Sequence, residues 1–197
     1  AHPKVGLMQL PEEFAASHMS HELDCMLIAA THWAALHPDV RGRYPTLFVW
    51  TAEYAAFLHQ RGLFELFCNN RNPEVKETRR FLGHGPIVIS EAWKTWEVPL
   101  NTAGSHVYGR YIADPPHRDG EQLKNQVAAL TIEIIRLWRA YADLVPTPGV
   151  KDAMISGLEK ANKRAGEIAA EMNAPSLDWC SSNPFADWGA RQWWPVP

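Results

Sequence analysis

The sequence predicts an all-α protein: a helical bundle of four to five helices with one long basic loop and an irregular Trp-rich C-terminal tail. Three observations carry that prediction. Apolar residues recur at helical spacing through several long segments. Prolines stand between those segments and disfavour helix in the residue before them. The β-branched run Ile87-Val88-Ile89 has room for no more than a short strand. At 197 residues the chain suits one bundle domain over residues 1–174, followed by the tail over 175–197.

A Pro-bearing arm occupies residues 1–17. Ser17 or Ser20 suits the N-cap of the first long helix, with Glu22 placed to favour its dipole. Met19, Leu23, Met26, Leu27, Ala30, Trp33 and Ala34 form one apolar face, and the helix is expected to end near His37-Pro38. Pro45 opens a second helix over 47–68, which is apolar on nearly every side and so suits the bundle centre. Arg61 and Glu65 lie four apart on it and can pair on one face.

Residues 69–98 break the periodicity. Asn69-Asn70-Arg71-Asn72-Pro73 is turn chemistry, and Gly83-His84-Gly85-Pro86 reads as a loop. Arg71, Lys76, Arg79, Arg80 and Lys94 make this the most basic stretch. A third helix is predicted over about 100–112, ending before Pro115-Pro116, and a fourth over about 121–144. On the fourth, Leu123, Val127, Leu130, Ile134, Leu137, Trp138 and Tyr141 keep one face apolar. A fifth, over about 150–172, is rich in Lys and Glu and is expected at the periphery. Beyond Pro175 the Trp-rich tail either docks into a partner's groove or folds back to cap its own bundle. The aggregation hazard of exposed Trp clusters favours the second.

Composition narrows the functional classes. A net charge of −3 argues against a broad electrostatic footprint for nucleic acid while leaving room for a local basic patch. Cys25, Cys68 and Cys180 are odd in number and widely spaced, which fits a reducing cytoplasm better than a disulfide framework. No basic-then-apolar leader and no apolar run of bilayer length appears, so a cytoplasmic protein without membrane contact is expected. There is no CxxC, Walker-type loop, GxGxxG, HExxH or GxSxG, and neither cofactor nor resident metal is expected.

Four groups of residues could carry chemistry. His106 and Arg110, four apart, share a face of the third predicted helix, with Asn101 and Ser105 nearby. His can move a proton near neutral pH and Arg can clamp phosphate oxygens, so the pair is a minimum kit for a phosphodiester. The competing reading is that both hydrogen-bond to neighbouring helices and fix their register. His59 and Arg61 lie two apart and point to nearly opposite faces, so they cannot act on one atom from a single helix. One could face the third helix while the other meets Glu65 or Glu53. His18, His21, Cys25 and His32 form a stripe opposite the first helix's apolar face. Such spacing can share a transition metal, although a polar face or partner interface is the favoured reading. Arg71, Arg79, Arg80 and Lys94 could contact an anionic strand, or could simply be solvated charge diluted by Glu74 and Glu77.

Two segments also carry a family resemblance. The His59-Gln60-Arg61-Gly62-Leu63 run on the apolar second helix resembles the His-x-Arg-x-Leu helix of one branch of HEPN-like proteins. Leu100-Asn101 followed by Ser105-His106-Val107 and Arg110 resembles the His-and-Arg helix that follows it in that branch. Glu22-Leu23 with Met26-Leu27, and Trp93 or Trp96, fall where the branch has similar residues. The likeness covers about residues 20–142. It implies a helical bundle that often dimerises. It also implies RNA as a partner and, in many members, metal-independent endoribonuclease activity in defence or toxin–antitoxin systems. Other members are non-catalytic RNA-binding or protein-interaction modules. On this resemblance His106 would transfer the proton and Arg110 clamp the phosphate, with His59 and Arg61 orienting them or completing the site across a dimer. Active members carry Arg, a polar residue, then His four to six positions on. Arg79-Arg80-Phe81-Leu82-Gly83-His84 and the stretch from Arg110 to His117 have that spacing, whereas Arg61 is followed by Gly62 with no His in range.

Overall fold

The structure, a computed structural model, describes residues 10–36, 46–68, 71–87, 90–95, 97 and 120–188. It is helical, with no strand among the described residues. The elements are α1 (Pro11–Phe14), a π turn (Ala15–Met19), α2 (Ser20–Ala35), α3 (Thr46–Cys68), α4 (Pro73–Phe81), α5 (Gly120–Leu144), α6 (Pro148–Glu171) and a 3₁₀ turn (Ala186–Trp188). Residues 91–95 form a further short helical stretch. Among the described residues no helix is long and apolar enough to cross a membrane.

The first helix starts earlier than the serines suggest. Pro11 sits in its first turn with Glu12 and Glu13, and Glu13 Oε2 accepts from the Leu10 N–H at 3.1 Å. Proline's fixed φ and an acidic first turn make that the better start signal. Ser17 and Ser20 therefore lie inside the helix, their hydroxyls donating to the carbonyls of Glu13 and Ala15. α1, the π turn and α2 run on without a break.

α3 spans the predicted range and buries Ala56, Phe57, Gln60, Leu63, Phe64 and Phe67 against α2 and α5. It is not buried on every side, since Phe48 and Leu58 are exposed. α5 presents Val127, Leu130, Ile134, Leu137, Trp138 and Tyr141 to the core, as its apolar face predicts.

Three expectations change. The long basic loop contains a helix, α4. Asn72 caps it by accepting from the Glu74 N–H at 3.0 Å, Pro73 opens it, and Arg79 and Arg80 lie in its last turn. Ile87 makes a single bond to the Phe67 carbonyl and lies in no strand; residues 88 and 89 lie outside the described set. α6 is not peripheral, for it packs along α2 and buries Val150, Met154, Gly157, Leu158, Ala161, Ala165 and Ala169. Small residues at four-residue spacing let two backbones approach closely, so a polar composition conceals a deep contact. A Cβ at Gly157 would meet Ser20 Oγ at 2.1 Å.

The tail folds back, as the Trp hazard suggests, and it belongs to the same core as the bundle. Leu177, Trp179 and Trp188 are buried. The Trp179 indole donates to Thr31 Oγ1 at 2.9 Å and the Trp188 indole to the Ser176 carbonyl at 2.8 Å. Phe185 meets both rings edge-on. The described part of the tail, up to Trp188, is thus packed on the bundle, while Trp193 and Trp194 lie outside the described residues.

Candidate anion-contact site

The last carbonyls of α3 have no intrahelical donor, as at any helix end. Arg79 on α4 supplies one. Its Nη1 donates to Leu66 O at 2.8 Å and to Glu65 O at 3.3 Å, and the residue is only 2% exposed. A guanidinium at a helix C-terminus also opposes the negative end of the dipole. Burial pulls Arg79 below its ordinary pKa. Arg79 thus joins α3 to α4 and does not present its charge to a solvent-borne strand, as the basic-loop reading expects.

α4 closes in a Schellman motif. The Gly83 N–H bonds to Arg80 O and the His84 N–H to Arg79 O, both at 3.0 Å, with Gly83 at φ +82°. Glycine tolerates that left-handed conformation without a Cβ clash. The turn sets His84 just beyond the helix end, its ring edge-on to Tyr141 at 5.4 Å. His84 Nδ1 lies 2.7 Å from Gly85 O. A carbonyl can only accept, so Nδ1 carries a proton and Nε2 is the nitrogen left over for a ligand.

A concavity of about 460 Å³ lies here, lined by Lys76, Arg79, Arg80, Gly83, His84, Gly85 and Pro86. Arg80 is exposed, with only a loose approach to Glu77 at 3.6 Å. The Lys76 ammonium has no ion-pair or hydrogen-bond partner among the described residues. Against the His84 ring, burial pushes Tyr141 up to about 12, and its buried hydroxyl has no hydrogen-bond partner among the described residues. Burial likewise raises the Cys68 thiol. Nearby on α5, burial pushes the Glu133 carboxyl up, but Arg136 and the Ser90 hydroxyl together overcome it and hold Glu133 below the usual carboxylate range.

The other sequence candidates are dispersed. His59 Nδ1 meets Glu22 Oε2 of α2 at 2.7 Å, a partner other than Glu53 or Glu65. Arg61 Nε pairs with Glu65 at 3.0 Å, as the four-residue spacing predicts. Both are therefore held by carboxylates on different sides of α3. Lys94 pairs with Glu91 at 2.6 Å, and Arg71 is exposed. His106 and Arg110, with Asn101 and Ser105, lie outside the described residues. The His stripe does not converge: His18 packs on Phe14, His21 touches Cys25 Sγ at 3.6 Å, and His32 bonds to Ile28 O. Among the described residues no three His, Cys, Asp or Glu side chains gather as metal ligands would.

The sequence shows Lys76 in its most basic stretch and His84 at the Arg79–His84 spacing, but gives no sign that the two share one hollow. No family model, curated protein or solved structure matches this chain.

Proposed function

We propose that this chain is an RNA-acting helical protein of the HEPN-like kind, and that it contacts the phosphodiester backbone at the concavity closing α4. The observation that supports this is the Schellman turn, which sets His84, Arg80 and Lys76 around one hollow, with His84 Nδ1 taken up by the Gly85 carbonyl.

In the cleavage reaction a ribose 2′-hydroxyl attacks the adjacent phosphorus as His84 Nε2 takes its proton. Arg80 and Lys76 stabilise the charge that gathers on the phosphate oxygens. The bond to the 5′-oxygen breaks, leaving a 2′,3′-cyclic phosphate and a 5′-hydroxyl once that oxygen is protonated. His106 and Arg110 are the alternative holders of these roles, on the resemblance alone. A binding-only module is the second reading, and one observation favours it: His59 and Arg61 are each engaged by a carboxylate.

The test incubates labelled RNA in excess chelator with the wild type, with Arg80→Ala/His84→Ala and with His106→Ala/Arg110→Ala. Loss in the first variant alone supports the concavity; loss in the second alone moves the chemistry to the third predicted helix. RNA binding without cleavage by the wild type favours the binding module. Absence of both binding and cleavage in the wild type refutes an RNA role. Light scattering on the same samples tests the homodimer that the resemblance implies.

A further inference from the structure

A second concavity, of about 270 Å³, lies between the π turn, α2 and α6, and shares no residue with the one at the end of α4. Two local features shape its wall. Gly157 lets α6 approach Ser20 to a distance that no other residue permits without displacement. The π turn carries the Ser20 hydroxyl five residues back, to Ala15 O at 2.8 Å. Such turns inside helices are frequent at functional sites.

The polar groups around this groove are incompletely used. Arg164 on α6 is ion-paired with Asp24 on α2 through one nitrogen. A guanidinium has five donors in a fixed fork, so the pairing orients Arg164 and leaves donors over. Lys160, one turn earlier on the same helix, has no ion-pair or hydrogen-bond partner among the described residues, and neither does the Ser156 hydroxyl. His21 lines the α2 side. Of the Asp, Lys and Arg side chains lining the groove, Arg164 and Asp24 offset each other and Lys160 leaves one positive charge over.

We infer that this groove binds the phosphate headgroup of a small phosphorylated molecule. An oriented arginine beside an unpaired lysine suits a tetrahedral oxyanion, the one offering a fork and the other a point charge. Ser156 and His21 add further hydrogen-bonding groups. The volume lies just under the ~300–1,000 Å³ of sites for drug-sized ligands, which limits the occupant to a small molecule. His21 thereby gains a use that the non-convergent His stripe does not give it.

Calorimetric titration with inorganic phosphate and with glycerol 3-phosphate, each at constant ionic strength against chloride, tests this. The expected result is saturable one-to-one binding in which the two anions compete. Lys160→Gln should weaken it about tenfold. Lys163→Gln, an exposed lysine on the same helix outside the groove, should leave it unchanged. Both substitutions are on the surface, and circular dichroism confirms the fold. No saturable binding of either anion overturns the site. Equal weakening by the two variants also overturns it, since it reduces the effect to diffuse charge.

Discussion

Replacing Arg79 with Met separates two roles that a basic residue can play. Met fills much of the same buried volume, so the change chiefly removes the charged donor. Two carbonyls, Glu65 O and Leu66 O, then lose the guanidinium. An orphaned buried carbonyl costs roughly 1–3 kcal/mol, and the 3.3 Å bond to Glu65 should sit at the bottom of that range. Loss of a cation at the α3 C-terminus adds about 0.3–1 kcal/mol. The expected destabilisation is therefore about 3 kcal/mol. Urea denaturation followed by circular dichroism reads it directly. At a slope of about 2 kcal/mol per molar urea, the midpoint should fall by about 1.5 M. Arg80→Met is the control, since Arg80 is 82% exposed and should leave the midpoint within error. A shift in Arg79→Met no larger than in Arg80→Met would refute the bracing role and return Arg79 to the set of cations available to a ligand.

Gly157→Ala should destabilise by about 1–3 kcal/mol in a thermal melt, because Ser20 Oγ can rotate away but Ser20 Cβ, 2.9 Å from the new methyl, cannot; an unchanged melt refutes the close approach of α2 and α6. Removal of residues 175–197 should abolish cooperative unfolding, since it strips Leu177, Trp179 and Trp188 from the core; a truncated chain with the full midpoint would show that the tail is dispensable. Tyr141→Phe should cost little at neutral pH, because the hydroxyl has no hydrogen-bond partner among the described residues. Its folded pKa is raised, from 10.0 to about 12, so its contribution is complete below pH 10 and is lost as pH rises towards 12. The Phe variant should therefore unfold less readily than the wild type in that alkaline window. Glu133 is the opposite case: its folded pKa is depressed, so its contribution is complete above its ordinary 4.5 and is lost as pH falls through the lowered value. Glu133→Gln should flatten the acid limb of the stability profile below about pH 4.5, and an unaltered limb counts against the Ser90–Glu133–Arg136 network.

Much of the fold is legible because helical periodicity is a local property. The apolar faces of α2 and α5 can be read from Leu23, Met26 and Leu27 or from Val127, Leu130 and Ile134 without knowing their partners. α4 is missed for a different reason. Its sequence is mostly charged, and Asn72-Pro73 reads as a turn when the same pair is also a cap followed by a first helical residue. α6 is misplaced because Gly157 and its alanines hide a buried stripe from any scale that weighs side-chain hydrophobicity alone. At the site, the Arg61–Glu65 pair is written in its four-residue spacing. The Glu22–His59 pair spans 37 positions, and Arg79 bonds to backbone carbonyls 13 and 14 residues away. Neither leaves a local pattern, because tertiary packing chooses the partner.

The bond from Trp179 to Thr31 joins positions 148 apart, and the ion pair from Arg164 to Asp24 joins positions 140 apart. During synthesis the first long helix therefore emerges well before the surfaces that cover two of its sides. Until residues 148–188 have left the ribosome, Ala30, Thr31 and Trp33 lack part of their native packing. Contacts of such sequence separation slow folding, and apolar surface left waiting invites aggregation. The nascent chain should thus be a client of chaperones for most of its translation, and a stall before Trp179 should be more harmful to it than a stall after Trp188.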